Sequence, residues 1–464
     1  MPAYLPPELW MCVAECLYDE YIDEAVRLLR DLSSTTSAAL IALANLCRVS
    51  KPLKSIATPF LYRTPFTPGI SLFLDTITSY PELSRHVQEL SCNRWHLEGP
   101  GMKYGRYPPA FIEAIERHTT FALEHHVSNN GFPDWEEGEL DNGLFVGPIA
   151  DAALLSFLPN LACVFLQSSS RYVCCGLESG SLPKLTYAFV YHGDDEFFIE
   201  PCLLKYLAEA APNITHLHLS RLGMGETDHN NFPLFPNVTF LSMQSSAVEG
   251  MSWPFLLGAF PRLEALEYGV CDIEEYNWGG TARDIQAALV SHCPSLKSLC
   301  IDFSWVDGHD MPGDVDCGFD HGLASLRELE YLITDLSCIG SPELGDGGKD
   351  DDEEYGELNW LQGEEDWIDL GLRSEALPAS LRGLRIIVWD IWGWGKLVES
   401  LLDLAMKAPT QLPALEKISI LRPESTRKWD DKIMDAWKDT GVEMTLETSL
   451  STWDSKSPKD WDWP

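Results

Sequence analysis

Basic residues are scarce in this chain. Its 464 residues include 33 lysines and arginines against 71 aspartates and glutamates, a formal charge of −38. Such an excess works against gripping phosphate backbones or anionic lipid and favours protein partners, basic ones in particular. Long apolar runs are missing too. Nothing approaches the roughly 20 consecutive apolar residues of a bilayer span, and Met1–Trp10 has no basic segment leading into an apolar one. The 13 cysteines form no C-x-x-C pair and no dense pattern. They read as small core residues of a chain from the cytoplasm or nucleus. In that setting the sequons Asn213-Ile-Thr215 and Asn237-Val-Thr239 are expected to be chance matches.

Catalytic signatures are equally sparse. There is no G-x-S-x-G, no phosphate-binding G-x-x-x-x-G-K-[ST] and no H-E-x-x-H. Cys12 and Cys16 stand four apart on a predicted helix, without two further zinc ligands. His216 and His218 alternate on a predicted strand and would make at most half a metal site. Asp307, Asp310, Asp314, Asp316 and Asp320 crowd a glycine-rich stretch, but their spacing is not that of a calcium loop. No nucleophile–base pair, metal set or cofactor motif emerges. The expectation is a non-catalytic protein with no cofactor and no metal.

What the sequence does contain is ordinary globular composition, 45% hydrophobic and 22% charged, and an internal repeat. The length suits about three domains, or one repeat array with an appendage. A proline-opened apolar motif recurs at Leu158–Leu166, Leu182–Val190, Ala211–Leu219, Phe235–Met243, Phe260–Tyr268 and Cys293–Ile301. Weaker copies follow at 323–331, 377–386 and 412–420, and a first copy is read at 85–92. The prolines at 159, 183, 212, 236, 261 and 294 are spaced by one supersecondary unit each. The last positions of the motif alternate, as a strand with one buried face requires. Proline is expected at its start because that residue need not donate to the ladder. Helical patterns lie between the copies, at 149–158, 199–210, 253–260, 281–293 and 397–408.

The motif L-x-x-L-x-L over about residues 84–421 resembles the leucine-rich repeat. The resemblance implies an α/β solenoid with concave parallel strands and convex helices. Leu222 stands where the family pattern has asparagine after Leu219, and the period drifts, so irregular repeats are expected. A mixed α/β sheet domain is the alternative. Residues flanking the later motif leucines would face the concave side. Those positions are Cys163, Phe165 and Gln167, then Tyr187, Phe189 and Tyr191, then His216, His218 and Ser220, then Phe240, Ser242 and Gln244. Exposed aromatics in a cluster are favoured anchors. Tyr187, Phe189, Tyr191, His216, His218 and Phe240 are therefore the candidate target-binding residues. Glu267, Asp302, Glu328 and Glu330 on later strands would select a basic flank. The alternative is that segment 94–148 folds over this face.

Residues 1–66 do not share the repeat. Pro6 and Pro7 open an apolar periodicity through Leu9, Val13 and Leu17. A second stretch runs through Leu40, Leu43, Leu46 and Val49, and a third through Leu53, Ile56 and Phe60. Leu5-Pro-Pro-Glu-Leu9 and the later run Leu46-Cys-Arg-Val-Ser-Lys51 with Ile56-Ala-Thr-Pro-Phe-Leu-Tyr62 resemble the two ends of an F-box of the fungal type. Its order before the repeats is that of the F-box leucine-rich-repeat proteins. The resemblance implies an N-terminal adaptor-binding module that docks on the Skp-family adaptor of a cullin–RING (SCF-type) ubiquitin ligase. Leu5, Pro6, Leu9, Val13, Leu17, Leu46 and Val49 are then the candidate contacts, some of which must instead form the module's core. The alternative is a helical cap sealing the solenoid. The repeat region is read as 67–421, with insertions at 94–148 and 340–370, and 422–464 as a C-terminal cap or tail. The second insertion is strongly acidic and is expected to be a solvated loop. The overall expectation is a substrate-recognition subunit, with a leucine-rich-repeat scaffold lacking any ligase as the alternative.

Overall fold

The computed structural model describes residues 5–30, 38–65, 70–91, 107–129, 146–168, 176–192, 198–225, 232–270, 280–303, 319, 321–335, 338, 340–342, 367–370, 374–388, 394–422 and 424–448. The acidic stretch 343–366, the aspartate-rich stretch 304–318 and the tail 449–464 lie outside them. The chain is α/β, and it divides into two compact units, Met1–Ser220 with Asn231–Val238, and Arg221–Asn230 with Thr239–Pro464.

The first unit opens with three helices, α1 (Pro7–Arg30), α2 (Ala38–Val49) and α3 (Lys51–Arg63). The third starts where expected: Ser50 Oγ accepts the Leu53 N–H, and Pro52 sits in the first turn, where its missing N–H is harmless. The three pack on one another around Ala14, Leu43 and Ala57, with Leu17, Leu46, Ile56, Phe60 and Leu61 against them. Helices α4 (Ile70–Ser79) and α5 (Pro81–Ser84) lead to strand β1 (Glu89–Ser91). Segment 94–148 contains α6 (Pro109–Asn129), which packs on α7 (Val146–Ser156). The signal was present as apolar residues at Phe111, Ala114 and Ile115, all buried. His118 on α6 is buried and its Nδ1–H donates to the Gly176 carbonyl at 2.7 Å. Burial holds this imidazole below its usual pKa.

Strands β2 (Cys163–Ser168), β3 (Tyr187–His192) and, after helix α8 (Lys205–Ala210), β4 (His216–Ser220) follow β1 in a parallel sheet in chain order. Each expected motif copy in this unit ends on one of these strands. The prolines have a different role from the one expected. Leu161 N–H donates to the Leu158 carbonyl at 3.2 Å, and Leu185 to Leu182 and Ile214 to Ala211 do the same. The proline is thus the second residue of a four-residue turn, where its fixed φ is preorganised. The third residue ties one copy to the previous one. Asn160, Asn213 and Asn237 donate from Nδ2 to the carbonyls of Arg85, Pro183 and Pro212. Both sequon asparagines therefore serve as turn bridges. Along each strand, Val164, Leu166, Ala188, Val190, Leu217 and Leu219 are fully buried. Each such leucine or valine contributes about 1.5–3 kcal/mol by leaving water.

The second unit repeats the scheme. Strand β5 (Gly223–Met224) pairs with β6 (Phe240–Val248). Helix α9 (Trp253–Gly258) precedes β7 (Ala265–Val270), and α10 (Ala282–His292) precedes β8 (Ser298–Asp302) and β9 (Tyr331–Asp335). Thr281 and Asp284 form a capping box at the start of α10. Strands β10 (Gly340–Pro342) and β11 (Trp367–Leu370) pair antiparallel at the two ends of the acidic stretch. Then come β12 (Gly383–Ile387), α11 (Trp394–Gln411), β13 (Lys417–Arg422), α12 (Asp430–Trp437) and β14 (Glu443–Thr448). All but β5, β10 and β11 form one parallel run, β6-β7-β8-β9-β12-β13-β14. Strand β14 continues the run beyond residue 421.

A serine fixes the bend that follows the first apolar positions of β6. Ser246 Oγ accepts the Leu222 N–H at 3.1 Å and donates to the Gln244 carbonyl at 3.1 Å. Ser246 stands three residues after Met243, as Leu222 does after Leu219. The bend beside each is tight, with Arg221 at φ 66° and Ser245 at φ 49°.

Candidate interaction faces

The helical module divides its apolar residues between two jobs. Leu17 and Leu46 pack into the core around Ala14 and Leu43. Leu5, Leu9, Val13 and Val49 stay 44%, 49%, 38% and 69% exposed, and Pro6 is exposed as well. The helical period explains the division. Ala14 and Tyr18 lie four apart on the buried face of α1, while Leu9 and Val13 lie four apart on another. Met11 and Ile41 are also exposed, at sites the sequence reading left out. Of the seven candidate contacts, five remain available to a partner and two are module core.

The second face lies on the strands of the first unit. Register places Cys163, Tyr187 and His216 side by side, then Phe165, Phe189 and His218, then Gln167, Tyr191 and Ser220. These alternate with the fully buried set, so they lie on the opposite side of the sheet. Phe165, which the pattern put on this face but outside the anchor set, is central. Its ring centroid lies 5.9 Å from that of Tyr187 and 5.8 Å from that of Phe189. Phe189 in turn lies 5.6 Å from Tyr191. The Tyr187 ring lies 6.1 Å from that of His216 and 4.9 Å from that of His218. Each spacing falls within the range of favourable ring pairs. The histidines differ from one another. His216 is exposed, whereas His218 is buried among the rings and is not the solvent-facing side chain expected. Phe240 starts β6 in the second unit, half-buried.

The strands of the second unit do not carry the acidic row expected. Glu267 and Asp302 are on β7 and β8, but Glu328 and Glu330 precede β9. Glu330 pairs with Arg382 at 3.6 Å, and Arg382 with Glu416 at 2.8 Å. The lateral row from Glu267 runs through Cys300, Ile333, Arg385 and Ser419. Cys300, Ile333 and Ile387 form a buried apolar cluster with Leu421 against it. Beside it Arg385 pairs with Glu447 at 2.9 Å, and Ser419 Oγ donates to the same carboxylate. An alternating strand pattern shows which side a residue takes, but not that a second apolar cluster gathers there.

Three buried cysteines are chemically muted. Burial pushes the Cys293 thiol up to about 12 and those of Cys300 and Cys338 well above the usual value, which leaves no thiolate at neutral pH. The buried Asp335 carboxylate is occupied by the backbone N–H groups of Phe303 and Cys338. Among the described residues, no three or more His, Cys, Asp or Glu side chains are placed to hold a metal ion, and no helix is long and apolar enough to cross a membrane.

No protein-family model matches the chain, and a search of curated proteins found no match.

Proposed function

We propose that this chain is a non-catalytic substrate receptor of a cullin–RING ubiquitin ligase. Residues 1–66 would be an F-box-like module that binds a Skp-family adaptor. The parallel strands and helices that follow would be an irregular leucine-rich-repeat solenoid that binds the target. The observation that carries this reading is the division of the module's leucines. A three-helix module that keeps Leu5, Leu9, Val13 and Val49 at its surface has an apolar face suited to a groove on another protein. Its own core is small, so a partner surface would add to its stability. The target would be a protein with a basic segment, drawn by the acidic excess of the chain and anchored on Tyr187, Phe189, Tyr191 and His216 of the first unit. Receptor and ligase then act through proximity, because the tethered target meets the ubiquitin-loaded enzyme at high effective concentration. Co-purification of the full chain with a Skp-family adaptor tests this reading. Target capture without the adaptor would favour a repeat scaffold with no ligase.

A further inference from the structure

Four side chains from three elements close on one another where the helical module meets the first strand. Tyr18 on α1 is buried, and its hydroxyl lies 2.7 Å from Thr64 Oγ1, just past the end of α3. Thr64 Oγ1 donates to Glu89 Oε2 at 3.1 Å. A carboxylate only accepts, so the hydroxyl protons of Tyr18 and Thr64 both serve this cluster of bonds around Glu89. Burial pushes the Tyr18 hydroxyl up to about 12, which keeps that proton in place at any physiological pH. Arg63 closes the ring. Its Nε lies 3.6 Å from Glu89 Oε1, and its guanidinium stands 4.8 Å from the centroid of the Tyr18 ring. The backbone adds a bond from the Gln88 N–H to the Arg63 carbonyl at 2.9 Å.

We propose that Tyr18, Arg63, Thr64 and Glu89 form a clasp that fixes the three-helix module to β1, so that the module and strands β1–β4 move as one body. The Ala14–Leu43–Ala57 core holds the helices to each other without the clasp. What the clasp adds is the bond between that bundle and the sheet. Resting on the receptor reading, it would present the exposed side of α1 and the aromatic face at a fixed separation. The four are then positioning residues, since they touch neither proposed partner.

The test uses the full chain alone. Spin labels go on unnatural amino acids at Met11 on α1 and Lys205 on α8, both exposed, so the native cysteines stay. Pulsed EPR then reads the distance distribution between them. The wild-type chain should give one narrow peak. A Tyr18→Phe/Glu89→Ala double variant should broaden it about twofold or more while its helix content holds, and Thr64→Ser should keep it narrow. A broad wild-type distribution, or an unchanged width in the double variant, overturns the clasp. Should the double variant fail to fold, the single Glu89→Ala variant decides by hydrogen exchange. Its Gln88 amide should exchange about tenfold faster with the α2 and α3 amides unchanged, and an unaltered Gln88 rate overturns the proposal. Neither measurement includes adaptor or target, so failure here leaves the receptor reading standing, and failure to bind an adaptor leaves the clasp standing.

Discussion

Asp151 should make the first unit less stable as pH rises through the weakly acidic range. It lies on α7 between the buried Ala150 and Ala152, and burial pushes its carboxyl from 3.8 to about 7. In the unfolded chain the group ionises near 4, so between about 4 and 7 the folded state holds a proton that the unfolded state has lost. Stability therefore falls with rising pH across that window and levels off above it. A shift of about 3 pH units is worth about 4 kcal/mol at most, at roughly 1.36 kcal/mol per unit. Asp151 keeps part of its surface in water, so we expect a loss of about 1–2 kcal/mol. Asp151→Asn removes the titrating group without changing the shape. Urea unfolding followed at pH 4.5, 6 and 8 should show the variant more stable than wild type by about 1–2 kcal/mol at pH 8, with the gap closing towards pH 4.5. Equal wild-type stability at pH 4.5 and 8, or a variant less stable at pH 8, would refute the reasoning.

Ser246→Ala should destabilise the chain by about 1–3 kcal/mol in chemical unfolding, because the Leu222 N–H loses its acceptor in a buried setting. Neighbouring Ser245→Gly, at φ 49°, should change stability by less than about 1 kcal/mol. Deleting 345–365 leaves a short turn between β10 and β11 and should hold or raise the thermal midpoint, since closing a shorter loop favours the fold by up to about 2 kcal/mol. A marked loss of cooperativity would mean that ordered repeat structure had been removed. Tyr187→Ala with Tyr191→Ala should abolish target capture in a pull-down and leave adaptor binding intact. Unaffected capture would move the site off the aromatic face.

Much of the fold is legible in the sequence because each copy of the motif specifies itself locally. Leu158-Pro-Asn-Leu161 contains the turn, its bridging asparagine and the first buried leucine, and the alternation after it sets which side chains face the helices. Strand β1 was readable from the spacing of Val87, Leu90 and Cys92, without a proline. Strand β14 was not, because it follows no proline turn and Gly441 stands where the motif's first leucine would be, although Met444 and Leu446 alternate. The site residues depend on longer-range packing. Leu9 and Leu17 both fit the apolar period of α1, and only the placement of α2 and α3 decides that Leu17 is core while Leu9 is surface. The same holds for His218, which is buried beside the rings of Tyr187 and Phe189 on β3, and for Phe165, whose central place follows from the register of β2 with β3. The Tyr18–Thr64–Glu89 contacts join residues far apart in the chain and leave no sequence pattern.

The receptor reading is tested most directly by adaptor capture with the full chain and its Leu9→Asp/Val13→Asp variant. Both positions lie on the exposed side of α1, so the variant should keep the wild-type thermal midpoint to within a few degrees. Burying each aspartate in an apolar groove would cost on the order of 2 kcal/mol or more. The wild-type chain should capture a Skp-family adaptor, and the variant, still folded, should not. A wild-type chain that captures no such adaptor, or a folded variant that captures it as well as wild type, would contradict it.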